Sequence, residues 1–246
     1  MTQDEALSIL KTGVNVFLTG EPGSGKTHAV NRYVQWLREH RIKPAITAST
    51  GIAATHIGGR TIHSWSGIGV RRTLTSFDLN RIANNTRVTK RARETHILII
   101  DEVSMLSADT LDMVETVCRK IRGGVAPFGG LQIVLVGDFF QLPPVVTRNQ
   151  DEKKQSSLLS SENSGSSFAF LSPAWAKLNP VVCYLSEQHR QEDPSFLDML
   201  SAVRQGTVDD SHQALLRQRS STVSRAGITQ LFSHNVDVDH INNAEL

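Results

Sequence analysis

Lys26 and Thr27 close the run Gly20-Glu21-Pro22-Gly23-Ser24-Gly25-Lys26-Thr27, the pattern G-x-x-x-x-G-K-[ST]. Glycines at these places let the backbone wrap a polyphosphate, and successive N–H groups point at it together with the N-terminus of the following helix. Lys26 then neutralises charge between the β- and γ-phosphates, and the Thr27 hydroxyl ligates Mg²⁺. Two more chemical groups, Asp101 and Glu102, end the apolar run Ile97-Leu98-Ile99-Ile100. In that arrangement Asp101 holds Mg²⁺ through its water shell, and Glu102 orients and polarises an attacking water. Together the two pairs specify hydrolysis of a nucleoside triphosphate, not binding alone.

These residues need strands and helices to hold them. Val14 to Leu18 reads as a buried strand entering the glycine turn. Thr27 to His40 reads as the helix leaving it, with Ala29, Val30, Tyr33, Val34 and Leu37 on one face. A short helix through Ala6, Leu7, Ile9 and Leu10 precedes the first strand, and Gln3 ahead of it carries the donor–acceptor pair that matches the edge of adenine. Ala45 to Ser49 is a second strand, and Ile97 to Ile100, apolar throughout, is a strand covered on both faces. Asp109 to Arg122 is an amphipathic helix closed by Gly123 and Gly124, and Gln132 to Val136 is another strand. Just beyond it, Gln141 is placed to sense the γ-phosphate or the attacking water, on a loop stiffened by Pro143 and Pro144. Val181 to Leu185 is a further strand leading to Arg190, which can complete the charge cage around the γ-phosphate. Residues 149–167 read as a flexible serine-rich insertion. Asp193-Pro194 starts a helix that Gly206 ends, with Phe196, Leu197, Leu200 and Val203 facing inward. A short helix and a strand from Ile228 to Phe232 follow.

Two stretches point to a polyanionic partner. Thr47 to Ala54 and Gly58 to Trp65 are small and hydroxylated, and His63 and Trp65 can stack on bases. A tightly packed strand end with Trp65 buried fits the same residues equally well. Between residues 66 and 93, Arg71, Arg72, Arg81, Arg87, Lys90, Arg91 and Arg93 face Asp78 as their one acidic counterpart, the composition of a phosphate-contacting patch or of a solvated basic face.

The 246 residues carry a net charge of only +2, so this local excess says more than the total. No run is long and apolar enough for a membrane span. No secretory signal is visible, and the glycine turn begins too early for a targeting peptide to precede it. Cys118 and Cys183 sit in helix and strand patterns as core thiols, which implies a reducing compartment. The nine histidines lack metal-ligand spacing.

Taken together, these stretches resemble the motifs of a superfamily-one DNA helicase of the PIF type (petite integration frequency), related to RecD. The resemblance covers nearly the whole chain. It rests on Gly20–Thr27, on Thr47–Ala54 running into His56-Ile57-Gly58-Gly59, on Asp101-Glu102-Val103-Ser104-Met105 and on Gly137–Val145. Most telling is Leu111 to Gln132, a helix ending in Arg-Lys-Ile-Arg and then Pro-Phe-Gly-Gly-Leu-Gln, similar to a stretch that other superfamily-one helicases lack.

The resemblance implies a RecA-like fold, a mostly parallel α/β sheet with helices on both faces. Residues 1–65 and 94–205 would form the first motor domain, 66–93 a small basic DNA-contacting subdomain, and 206–246 the connection into a second RecA-like domain. It implies ATP and Mg²⁺ as cofactors, adenine reading by Gln3, γ-phosphate sensing by Gln141, and transition-state stabilisation by Arg190. Thr50, Gly51, His63 and Ser64 fall in the segment that contacts single-stranded DNA, with Arg71 and Arg72 in the basic stretch beside it. The family unwinds DNA 5′-to-3′, including forks and structured DNA, in repair, recombination and telomere maintenance. The expected setting is the cytoplasm and nucleoid of a bacterium, or the nucleus or mitochondrion of a eukaryote, with the protein a monomer.

One departure stands out. Family members continue into a second RecA-like domain bearing two further motifs, and Leu231 to Asp239 resembles the entry into it. With one wall of the ATP cleft missing, hydrolysis by this chain alone is expected to be slow, since losing an arginine finger can cost ~10³-fold. The alternative is a single-domain nucleotide-dependent DNA-binding switch that does not unwind. A P-loop ATPase acting on protein is disfavoured by the basic segment and by Thr47–Trp65.

Overall fold

The computed structural model describes residues 1–144, 168–187, 193–220, 229–232 and 235–245. The chain divides into two compact units, Met1–Glu192 and Asp193–Leu246. The division falls ahead of the helix at Pro194, which the sequence grouped with the first domain.

The first unit is built on a six-stranded sheet: β1 (Val16–Gly20), β2 (Pro44–Ala48), β3 (Arg60–Thr61), β4 (Ile97–Asp101), β5 (Gln132–Val136) and β6 (Val181–Leu185), in the order β3-β2-β4-β5-β1-β6. Every pairing between these strands is parallel. Helix α1 (Gln3–Lys11) precedes the first strand; parallel strands need crossovers, and α2 (Lys26–Glu39), α3 (Gly51–His56), α4 (Ile62–Ser66), α5 (Ser76–Ala83), α6 (Thr86–Glu94), α7 (Ala108–Arg122) and α8 (Pro173–Leu178) lie between the strands in the chain. One face of the sheet packs against α1 and α2 through Leu7, Leu10, Val30, Tyr33 and Leu37. The other packs against α4 to α8 through Trp65, Ile82, Val88, Leu111 and Val114. The central strands therefore lose their side-chain alternation: Ile97 to Ile100 are all buried, as their unbroken apolar run predicts.

Several expectations shift. The first strand starts at Val16, not Val14, which is 41% exposed, and it extends through the glycine turn's first residue. Trp65 is buried in the core, so it packs and cannot stack on a base. Segment 66–93 shares its core with the sheet, since Ile82, Val88 and Ala92 sit in one cluster with Leu98 and Ile133. Its arginines are largely committed: Arg71 and Arg81 pair with Asp78, Arg91 donates to the carbonyls of Ser64 and Trp65, and Arg93 to that of Ile121.

The stretch from Leu111 to Gln132 is a staple. Arg122 donates to the carbonyls of Ala92 (2.8 Å), Thr95 (2.9 Å) and Gly129 (2.9 Å), which ties α6, α7 and the 127–130 turn together. Gly129 has φ +64°, and a Cβ there would meet the Cβ of Arg122 at 2.7 Å, so the turn can close on the helix only with glycine. Phe128 is fully buried beneath it.

The second unit holds α9 (Pro194–Gln205), α10 (Asp210–Arg219) and α11 (Asn235–Glu245). Asp193 caps α9 through Ser195 N and Phe196 N, and Gly206 closes it at φ 70°. Met199 and Ala202 are its buried residues, whereas Phe196, Leu200 and Val203 are 43%, 45% and 57% exposed. Helical spacing identifies side chains that share a face, but not what lies against that face. Residues 229–232 carry no strand. The serine-rich segment 149–167 and Arg190 lie outside the described residues.

Candidate functional site: a nucleotide cleft at the C-terminal edge of the sheet

β1 delivers the glycine turn to the carboxyl edge of the sheet, where parallel α/β folds bind ligands. Gly20 has φ +149°, and a Cβ would meet Leu185 O at 2.5 Å and Ser24 Oγ at 2.8 Å, so the turn rests directly on β6. Gly25, at φ 83°, begins α2 in the left-handed region. Lys26 Nζ donates to Gly20 O (2.8 Å) and Glu21 O (3.0 Å), which places the ammonium inside the curve of the loop. Ser24 Oγ is buried with no hydrogen-bond partner, a polar atom left over within a phosphate-shaped turn. Thr27 stands exposed in the first turn of α2.

β4, between β2 and β5, brings Asp101 and Glu102 to the same edge. Glu102 is held in the left-handed region at φ 52°, ψ 45°, unusual for a residue with a side chain. Its N–H donates to Asp101 Oδ1 at 2.9 Å. Burial pushes the Asp101 carboxyl up to about 6, against the pull of that hydrogen bond and of the Lys26 charge. A carboxylate so placed is costly to ionise until a cation joins it.

β5 carries the third element. Asp138, almost fully buried, accepts from Phe140 N (3.1 Å) and from Gln141 Nε2 (3.3 Å). Phe139 anchors the loop in an aromatic cluster, its ring 5.3 Å from that of Phe17 and 5.8 Å from that of Trp175. As a result Pro22, Gly23, Gly25, Lys26, Thr27, Glu102 and Gln141 line one cleft of about 420 Å³, although they come from three distant stretches of chain. Gln3, half-buried at the start of α1, is not among the lining residues. A second hollow of about 380 Å³ adjoins the cleft, sharing Glu102 and Gln141 and lined also by Thr50, Ile52, His56 and Ser104.

The donor set suits a hard cation. Thr27 and Asp101 offer oxygen, the ligand type magnesium prefers. No cluster of three His, Cys, Asp or Glu capable of holding a metal occurs among the described residues. Two protein oxygens leave the rest of a six-ligand shell to water and nucleotide phosphates, as is usual for magnesium.

The candidate strand-contacting residues lie on α3, α4 and the loop that follows. Thr50 caps α3 through Ala53 N (3.3 Å), Gly51 is exposed, Ser64 is exposed, and His63 is half-buried. Burial lowers the His63 pKa below that of a free imidazole. Arg71 donates to Ile68 O (2.7 Å) and to Asp78 (3.1 Å). The contacts by which Asp138 and Phe139 hold the loop of Gln141, and by which Ser49 reaches the backbone of Asp101 and Glu102, were not read from the sequence. Only the Gly-Asp-Phe-Phe-Gln run gave a local signal for the first two.

A family profile described as PIF1-like helicase matches residues 4–214. The chain is 45% identical over 254 aligned residues to an ATP-dependent DNA helicase Pif1 of Psychrobacter, covering 100% of this chain and 37% of that protein. It is 34% identical to ATP-dependent DNA helicase PIF1 of Saccharomyces cerevisiae, covering 99% of this chain and 28% of that one. Among solved structures, the Pif1 helicase of Candida albicans superposes with a TM-score of 0.84 at 34% identity, covering 99% of this chain and 53% of that chain. A Bacteroides Pif1 helicase in complex with ADP-AlF3 and single-stranded DNA superposes at 0.79 and 30% identity, covering 99% and 56%. The chain thus spans between about a quarter and two fifths of these curated relatives. It has a RecA-like P-loop fold, and it belongs to the PIF1-like helicase family.

Proposed function

We propose that this chain is the first motor domain of an ATP-dependent 5′-to-3′ DNA helicase that couples ATP hydrolysis to movement along single-stranded DNA. The observation that carries the reading is the single cleft shared by Lys26, Thr27, Glu102 and Gln141. Gly20 to Gly25 cradle the phosphates, Lys26 exchanges its two loop carbonyls for β- and γ-phosphate oxygens, and Glu102 aligns water for in-line attack on the γ-phosphorus. The P–O bond to ADP then breaks, and the electron pair leaves on the bridging oxygen. Thr27 and Asp101 hold Mg²⁺, which when bound offsets the charge developing on the phosphate oxygens. Gln141 senses the γ-phosphate or the attacking water, Gln3 reads adenine, and Arg190 stabilises the transition state.

Thr50, Gly51, His63 and Ser64 contact the single strand, with Arg71 and Arg72 beside them, and forked or structured DNA is the physiological substrate. The relative solved with ADP-AlF3 and single-stranded DNA supports this reading by its similarity over nearly the whole chain. The protein acts as a monomer in repair, recombination and telomere or genome maintenance. Its setting is the nucleoid of a bacterium, or the nucleus or mitochondrion of a eukaryote. Among the described residues no helix is long and apolar enough to cross a membrane. ATP turnover with and without oligo-dT tests the reading: stimulation by the oligonucleotide supports a DNA motor, and indifference to it removes the DNA assignment. The alternative, a nucleotide-dependent DNA-binding switch, predicts DNA-stimulated hydrolysis without unwinding by the full-length product of the gene.

A further inference from the structure

Ser49 is nearly buried at the end of β2, between the core and the first residue of the segment assigned to DNA contact. Its N–H donates to Asp101 O at 3.1 Å, and its Oγ donates to Glu102 O at 2.8 Å. One residue thus bonds the backbone of both catalytic carboxylates. The next residue, Thr50, caps α3. The Glu102 carbonyl also accepts from Met105 N (3.2 Å), so Ser49 and the following turn grip it from two sides. That grip matters because Glu102 sits at φ 52°, where a residue with a Cβ persists only if its surroundings hold it.

The structure assigns to Ser49 the role of a positioning residue that carries occupancy of the DNA-contacting segment to the hydrolytic carboxylate. A displacement of Thr50 and Gly51 moves the Ser49 hydroxyl with them. The hydroxyl in turn sets the backbone orientation from which the Glu102 side chain reaches the cleft. The neighbouring strand pair supplies a rigid base, since Thr47 Oγ1 donates to Ile99 O at 2.6 Å from the same edge of β2. The inference deepens the helicase reading and rests on it.

The test compares wild type, Ser49→Ala and Ser49→Thr in the full-length product of the gene, using ATP and oligo-dT. Ser49→Ala is expected to lower DNA-stimulated kcat about tenfold, the scale one hydrogen bond can supply, with KM for ATP and oligo-dT affinity within about twofold. Ser49→Thr, which keeps the hydroxyl, restores the rate. A second readout is independent of turnover. Oligo-dT slows amide exchange across residues 97–106 in wild type and in Ser49→Thr, but not in Ser49→Ala. If wild type responds and Ser49→Ala responds equally in both readouts, the relay is wrong while the DNA reading stands. A wild type indifferent to oligo-dT removes the DNA reading and the relay together.

Discussion

The side-chain amide of Gln141 donates to the buried carboxylate of Asp138 across 3.3 Å. This bond engages one Nε2 hydrogen and holds the Gln141 side chain on the rim of the cleft that it lines. Asp138→Ala is therefore expected to slow hydrolysis about tenfold or more while leaving nucleotide affinity within about threefold, because it loosens Gln141 without touching the glycine turn. Single-turnover hydrolysis alongside a fluorescent-nucleotide titration checks the split.

Asp101 gives the site a pH dependence of defined sign. Its folded-state pKa of about 6 lies above the usual carboxylate value, so the folded protein holds the proton more tightly than the unfolded chain does. Stability from this group is complete below the unfolded value and is lost as pH rises towards about 6. Asp101→Asn should accordingly raise the melting temperature at pH 7.5 without nucleotide by a few degrees, while abolishing magnesium-dependent turnover. In wild type, turnover should fall as pH drops through about 6, and added magnesium should move that fall to lower pH by competing with the proton. Scanning calorimetry and pH–rate profiles at two magnesium concentrations measure both effects.

Arg122 donates to the carbonyls of Ala92, Arg93, Thr95 and Gly129, which fastens α6 and the 127–130 turn to α7. Arg122→Ala leaves those acceptors unpaired and should cost about 2–4 kcal/mol. Arg122→Lys should recover only a minor part, since a point charge cannot reproduce the planar fork. Urea unfolding followed by circular dichroism reads the difference.

Cys118 is fully buried, and burial pushes its thiol up to about 12. The thiolate is the reactive form, so Cys118 should resist aromatic disulfide reagents at pH 8 in the folded protein and react only on unfolding. Prompt reaction of the native protein at this residue would show that α7 opens locally.

Much of this arrangement was legible in the sequence, for identifiable reasons. The buried face of α2 is Ala29, Val30, Tyr33, Val34 and Leu37, as helical periodicity requires, and Ile97 to Ile100 form the doubly covered strand. The glycine turn announces itself because its chemistry needs particular residues in immediate succession. What escaped depends on contacts remote in sequence. Trp65 might stack or pack according to a neighbouring core that no local pattern describes, and the core covers it. The basic residues of 66–93 looked available because composition cannot show Arg91 spending its donors on Ser64 and Trp65. Ser49 stood within the hydroxylated run Thr47–Ala54, but its bonds to Asp101 and Glu102 gave no local signal, since these partners lie more than fifty residues away.

The most direct measurement is ATP hydrolysis with and without oligo-dT by wild type, Lys26→Ala and Glu102→Gln, in residues 1–246 and in the full-length product. The account predicts that Glu102→Gln binds nucleotide as wild type does but loses DNA-stimulated turnover by ~10²-fold or more, as expected for a lost water-orienting carboxylate. Lys26→Ala should lose nucleotide binding as well. A Glu102→Gln protein that still hydrolyses ATP at the wild-type, DNA-stimulated rate would contradict the assignment of this cleft as the motor's hydrolytic site.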